Sequence, residues 1–104
     1  MIKGAHVGDR VWAWEGLEKD SRGWVTKIRP LLMEITKVER YSNMVVVELR
    51  GLANSSVLLR RRSGQVYREK DGLRQLLLFF RTRHTRVAIC WSGMDRAKMA
   101  AELE

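Results

Sequence analysis

The stretch LMEITKVERYSNMVVVEL, residues 32–49, decides the fold class. Its two halves, 32–39 and 44–49, are rich in β-branched and apolar side chains, and the polar triplet Tyr41, Ser42 and Asn43 between them has the composition of a turn. Such a pattern predicts an antiparallel hairpin. Upstream, residues 10–15 (RVWAWE) alternate, with Val11 and Ala13 on one side and Trp12 and Trp14 on the other. One of these two faces is expected to be partly exposed, and Gly8 and Asp9 before the run and Gly16 after it read as turn punctuation. Residues 23–29 (GWVTKIR) alternate again, with Trp24, Thr26 and Ile28 facing away from Val25, Lys27 and Arg29. Pro30 then assigns the end of this strand to an edge or a bend.

Downstream, residues 57–62 and 65–69 flank Ser63 and Gly64, a two-residue loop of the kind that favours hairpins. In that register Arg62 faces Gln65, Arg61 faces Val66 and Arg60 faces Tyr67. Five or six strands in about 60 residues predict a small barrel or sandwich rather than βαβ units. Leu73, Leu76, Leu77 and Phe80 fit a helix over 72–82 with Asp71 as its cap. The same apolar run, 76–80, also reads as a buried strand paired with 85–91, and periodicity alone leaves both open. Residues 92–95 (SGMD) have the form of a capping box, and 96–103 hold Ala97, Ala100, Ala101 and Leu103, which predict a C-terminal helix docked through Met99, Ala100 and Leu103. The expectation is one mainly β domain over 1–104, with a barrel at about 7–70 and an extension at about 71–104.

The chain has 104 residues, 45% of them apolar and 31% charged, which is too apolar for a disordered tail and enough to bury about 65% of the unfolded surface. The longest apolar runs have five residues, far short of the roughly 20 of a membrane helix, and the N-terminal residues lack the apolar core of a signal peptide. A soluble, cytoplasmic protein with no membrane partner is therefore expected. Its single cysteine, Cys90, forms no internal disulfide and reads as a small core residue, and Cys90 with His6 and His84 is too small a set of soft ligands for a structural zinc. No cofactor or metal is expected. Patterns for nucleotide hydrolysis, zinc hydrolysis and magnesium-dependent nucleases are missing.

Charge says more. Lysine and arginine total 20 against 12 acidic residues, and 60–86 alone hold nine basic and two acidic residues, so most of the net charge of +8 sits there. A local field of this sign suits a polyanion, RNA or DNA, or an acidic protein surface. Arginine adds a planar fork that matches phosphate and stacks on bases. Arg60, Arg61, Arg62, Arg81, Arg83 and Arg86 are the candidate phosphate contacts, with Trp12 and Trp14 as stacking surfaces, whereas Trp24 and Trp91 read as core. His84, inside an arginine-rich run, is the one candidate general acid or base.

Two resemblances add to this. Val7, Gly8, Asp9, Arg10 and Val11, then Lys19, then Gly23 to Ile28 resemble the KOW-type module of ribosomal and transcription-elongation proteins, which implies an SH3-like β-barrel that binds nucleic acid. Gly8 to Trp12, then Arg29, Pro30, Leu31 and Leu32, then Val45 to Val47 and a C-terminal helix resemble the PemK/MazF-type toxins, metal-independent endoribonucleases on a related barrel. That second resemblance implies a catalytic role for Arg29, with His84 as a further candidate, although Glu48 and Leu49 stand where the family has threonine or serine. The leading expectation is thus a non-catalytic, nucleic-acid-binding SH3-like barrel. The alternatives are such a toxin, or an interaction module of a phage or mobile element, and a homodimer through an edge strand is compatible with each.

Overall fold

A computed structural model describes residues 4–84, 86–90 and 96–102. The chain is mainly β. Strands β1 (Arg10–Lys19), β2 (Val25–Arg40), β3 (Val45–Gly51) and β4 (Leu58–Arg62) are followed by a 3-10 turn (Ser63–Gln65) and a short β5 (Tyr67–Arg68). Helix α1 (Glu69–Arg83), a two-residue β6 (Ala88–Ile89) and helix α2 (Arg96–Glu102) complete the order. The sheet runs β4-β3-β2-β1-β5 with antiparallel neighbours, and β6 joins β2 in parallel at Lys27 and Ile28.

The β2–β3 hairpin forms as its sequence predicts, closed by Tyr41 N–H donating to the Met44 carbonyl at 2.9 Å. Two boundaries differ. Gly16 does not end β1, which stays paired with β2 to Lys19 through register shifts at Glu18. Nor does Pro30 end β2, which runs unbroken for 16 residues with Pro30 opposite Trp14. The proline fits because β6 pairs β2 only at Lys27 and Ile28 while β3 begins at Met33, so around Pro30 the strand is locally an edge, where a missing donor is harmless.

The expected hairpin around Ser63 and Gly64 does not form. Arg60, Arg61 and Arg62 pair with Glu48, Val47 and Val46 of β3, not with β5. The intervening residues close a 3-10 turn instead, with Arg62 N–H bonded to Gln65 Oε1 at 3.0 Å. That turn carries the chain across to β1, where Tyr67 and Arg68 pair with Trp12 and Val11.

Both faces of β1 carry a core, and the expected partial exposure falls on the tryptophan face, where Trp12 is buried but Trp14 only half-buried. Val11 and Ala13 join Met33, Ile35, Val47 and Leu49 in one core. Trp12 joins Ile28, Leu73, Leu76, Leu77 and Phe80 in a second, beneath α1. Residues 72–82 are therefore helical, and the strand reading of 76–80 falls: leucines at helical spacing bury against a sheet face that needed a cover. Gly72 lets the helix come close, since a Cβ there would sit 3.0 Å from the Tyr67 carbonyl carbon and 3.1 Å from Trp12 Cδ1. Asp71 does not adopt the extended backbone usual for a cap. Its φ of 62° places it in the left-handed region, which aspartate tolerates, at a break in the first turn.

α2 lies where expected. Met99 is fully buried against the α1 core, Ala100 is exposed, and the expected capping box and Leu103 fall outside the described residues. Among the described residues no helix is long and apolar enough to cross a membrane.

Candidate nucleic-acid interface

The β1–β2 loop sets one wall of the site. Asp20 closes it through its backbone, donating to the Trp24 carbonyl at 2.9 Å and accepting from Gly23 N–H at 3.0 Å. Its carboxylate accepts from the N–H groups of Arg22 at 2.9 Å and Trp24 at 3.0 Å. Gly23 takes the positive φ of 83° that this tight path requires. The result is a tryptophan that has a fixed backbone and is 62% exposed.

Opposite stands the end of α1. His84 N–H bonds to the Phe80 carbonyl at 2.8 Å and terminates the helix, bringing its ring to 5.6 Å from Phe79 and 5.5 Å from Phe80. Phe80 in turn meets Trp14 edge-on at 5.2 Å. Such edge contacts hold aromatic rings in fixed relative orientation. Between the loop and the helix end lies a recess of about 350 Å³, lined by Trp14, Trp24, Tyr67, Phe79, Phe80 and His84 among others.

The recess continues in two directions. Past Trp14, Val25 and Gln65 it reaches Lys19, Arg60 and Arg61. Past Trp24, His84 and Val87 it reaches Arg22, Arg83 and Arg86. Cations thus stand in the two cavities that share walls with the aromatic recess, one of them also lined by Asp20, whose carboxylate lies 3.6 Å from Arg22, and the three adjoining cavities together make up the groove.

The expected contacts divide among three situations. Arg83 and Arg86 are exposed on the groove, Arg83 with its Cζ 6.0 Å from the centre of the Phe79 ring. Arg61 is half-buried: its guanidinium donates to the Trp14 carbonyl at 3.0 Å and to the Arg60 carbonyl at 2.9 Å, and its Cζ lies 5.3 Å from the Trp14 ring. Burial lowers its pKa, opposed by Glu15, yet an arginine stays charged at neutral pH. Arg62 and Arg81 are exposed but are not among the residues that line the groove.

Arg60 lines the groove but is engaged elsewhere, bonded to Glu39 Oε2 at 2.7 Å. Glu39 also accepts from Tyr41 Oη at 2.6 Å and lies 3.4 Å from Lys37 Nζ. These donors, Tyr41 first and then Arg60, hold its carboxyl at about 2, below the ordinary 4.5, and the Glu39 carboxylate in turn raises the Tyr41 phenol. A depressed carboxylate stabilises the fold above its unfolded pKa and loses that contribution as pH falls toward the folded value. Glu39→Gln is therefore expected to flatten the decline of the urea midpoint between about pH 4.5 and pH 2. An unaltered profile would show that the network contributes nothing measurable.

Two expectations about tryptophan reverse. Trp12, expected as a stacking surface, is 6% exposed beneath α1 and is unavailable to a ligand. Trp24, expected in the core, is the most exposed aromatic among the described residues. Trp14 borders the groove, half-buried against Phe80. Trp91 lies outside the described residues.

Arg29 and His84 are not brought together. Arg29 pairs across the sheet with Glu15, on the face of Ala13 and Leu31, while His84 packs on Phe80 at the opposite face. Arg22 and Phe79 enter the site without having been singled out in the sequence, while Lys19 stands out there only within the KOW-type stretch and Tyr67 only as a strand residue opposite Arg60. Compared with protein-family models, with curated proteins and with solved structures, the chain matches none of them.

Proposed function

We propose that this protein is a small nucleic-acid-binding module of SH3-like design that works in the cytoplasm without catalysing a reaction. The observation that carries the reading is the aromatic groove with cations at both ends, the combination that binds phosphates by charge and bases by stacking. The strand order, with β5 returning to β1 after a 3-10 turn, supports the SH3-like part. The separation of Arg29 from His84 speaks against the endoribonuclease alternative in the form that uses both residues.

The test is a titration of labelled single-stranded RNA, single-stranded DNA and duplex DNA at two salt concentrations, with each mixture also run on a gel. Binding that weakens with salt and leaves the strands intact is expected. Shortened RNA in the absence of metal would replace this reading with the toxin-like one and put Arg29 and His84 under mutation. Failure to bind any of the three would overturn it in favour of an acidic protein partner, to be sought by pull-down.

A further inference from the structure

We infer that the groove takes an unpaired polynucleotide strand, with one base stacked on the exposed face of Trp24 and the flanking phosphates at the two cationic ends. This rests on the nucleic-acid reading above and narrows it to a class of ligand and a binding pose. Trp24 stands at the junction of the aromatic recess with the branch that holds Arg83 and Arg86. Its backbone is fixed at both N–H and carbonyl by Asp20, so the ring is presented without being buried. With the backbone fixed, only the two side-chain torsions of Trp24 remain to be ordered when a base covers the ring, which limits the entropic cost of stacking. Phe79, 38% exposed, extends the same apolar surface toward His84.

The position of the aromatics, set back between two groups of cations, selects against a duplex. In a duplex the base faces are stacked inward, so its phosphates would reach Arg83, Arg86 and Lys19 while the recess stayed unfilled. An unpaired strand satisfies both requirements, turning a base inward while its backbone follows the charges. The base is held through its ring face, which every base possesses, so little sequence preference is expected.

The experiment compares wild type with Trp24→Ala and Trp24→Phe on oligo(U) RNA, oligo(dT) DNA and a mixed-sequence duplex, after thermal melting confirms that the variants are folded. Trp24→Ala should weaken binding of both unpaired oligonucleotides roughly tenfold and that of the duplex much less, while Trp24→Phe keeps most of the affinity. Equal weakening on all three probes, or none on the unpaired ones, would overturn the inference. Tighter binding of wild type to the duplex would overturn it too, yet leave nucleic-acid binding standing. No binding to any probe would remove both.

Discussion

Leu77→Ala is expected to lower the stability of the fold by about 2–5 kcal/mol, read as a drop in the urea midpoint. Leu77 is fully buried between α1 and the sheet, in the core that holds Trp12, Ile28, Leu76 and Phe80. Removing most of its side chain loses the transfer free energy and leaves a cavity whose walls, a sheet and a helix, relax only in part. A domain of this size has only about 5–15 kcal/mol in total, so the loss would be a large share. Leu78→Ala is the control, since that neighbour is 37% exposed and should cost well under half as much. Equal midpoints for the two variants would mean that α1 does not cover β1 in solution.

Replacing Lys19, Arg61, Arg83 and Arg86 together with glutamine should remove most of the salt dependence of binding. For a single strand the logarithm of affinity falls with the logarithm of salt by about 0.7 per neutralised phosphate. Four contacts would give a slope of about −2.8, or roughly fiftyfold between about 50 and about 200 mM salt. The variant should show a slope near zero and, at the lower salt, an affinity weaker by a similar factor. Glutamine keeps a donor at position 61, so the reach to the Trp14 carbonyl is weakened rather than left without a partner. Arg60→Gln alone should change the slope little, because Glu39 already faces that guanidinium. An unchanged slope in the fourfold variant would place the interface elsewhere on the molecule.

Local pattern reaches as far as local interactions do. The β2–β3 hairpin is legible because its turn and both strands lie within residues 32–49, whereas α1 is legible only in part, since its apolar run also reads as a buried strand and the sheet face it covers decides for a helix. Alternation in β1 separates two faces but does not say what covers them, and it is α1, from the far end of the chain, that buries Trp12. The Ser63 and Gly64 loop has a hairpin composition, yet β4 finds a better partner in β3, whose Val47 and Leu49 extend the first core. Trp24 is misread for the opposite reason. Tryptophan is mostly buried in proteins, and the only local sign against it here is Asp20 four residues earlier, whose carboxylate holds the loop. Composition finds the arginine-rich stretch, but it cannot tell an arginine bound to Glu39 from one open to solvent.

β5 and β6 have a consequence for the order in which the molecule assembles. The pairings β1–β2, β2–β3 and β3–β4 join neighbours in the chain, whereas β5 on β1 and β6 on β2 close loops of roughly 60 residues. Loop closure of that length costs entropy before contacts offset it, so the four-stranded meander β1–β4 should form first and the two late pairings last. The groove lies between the β1–β2 loop and the segment that these late pairings hold in place. Hydrogen exchange should accordingly find the amides of β6 and the end of α1 opening more readily than those of β2 and β3, and the binding surface would be lost in that partial opening while the meander beneath it stays folded.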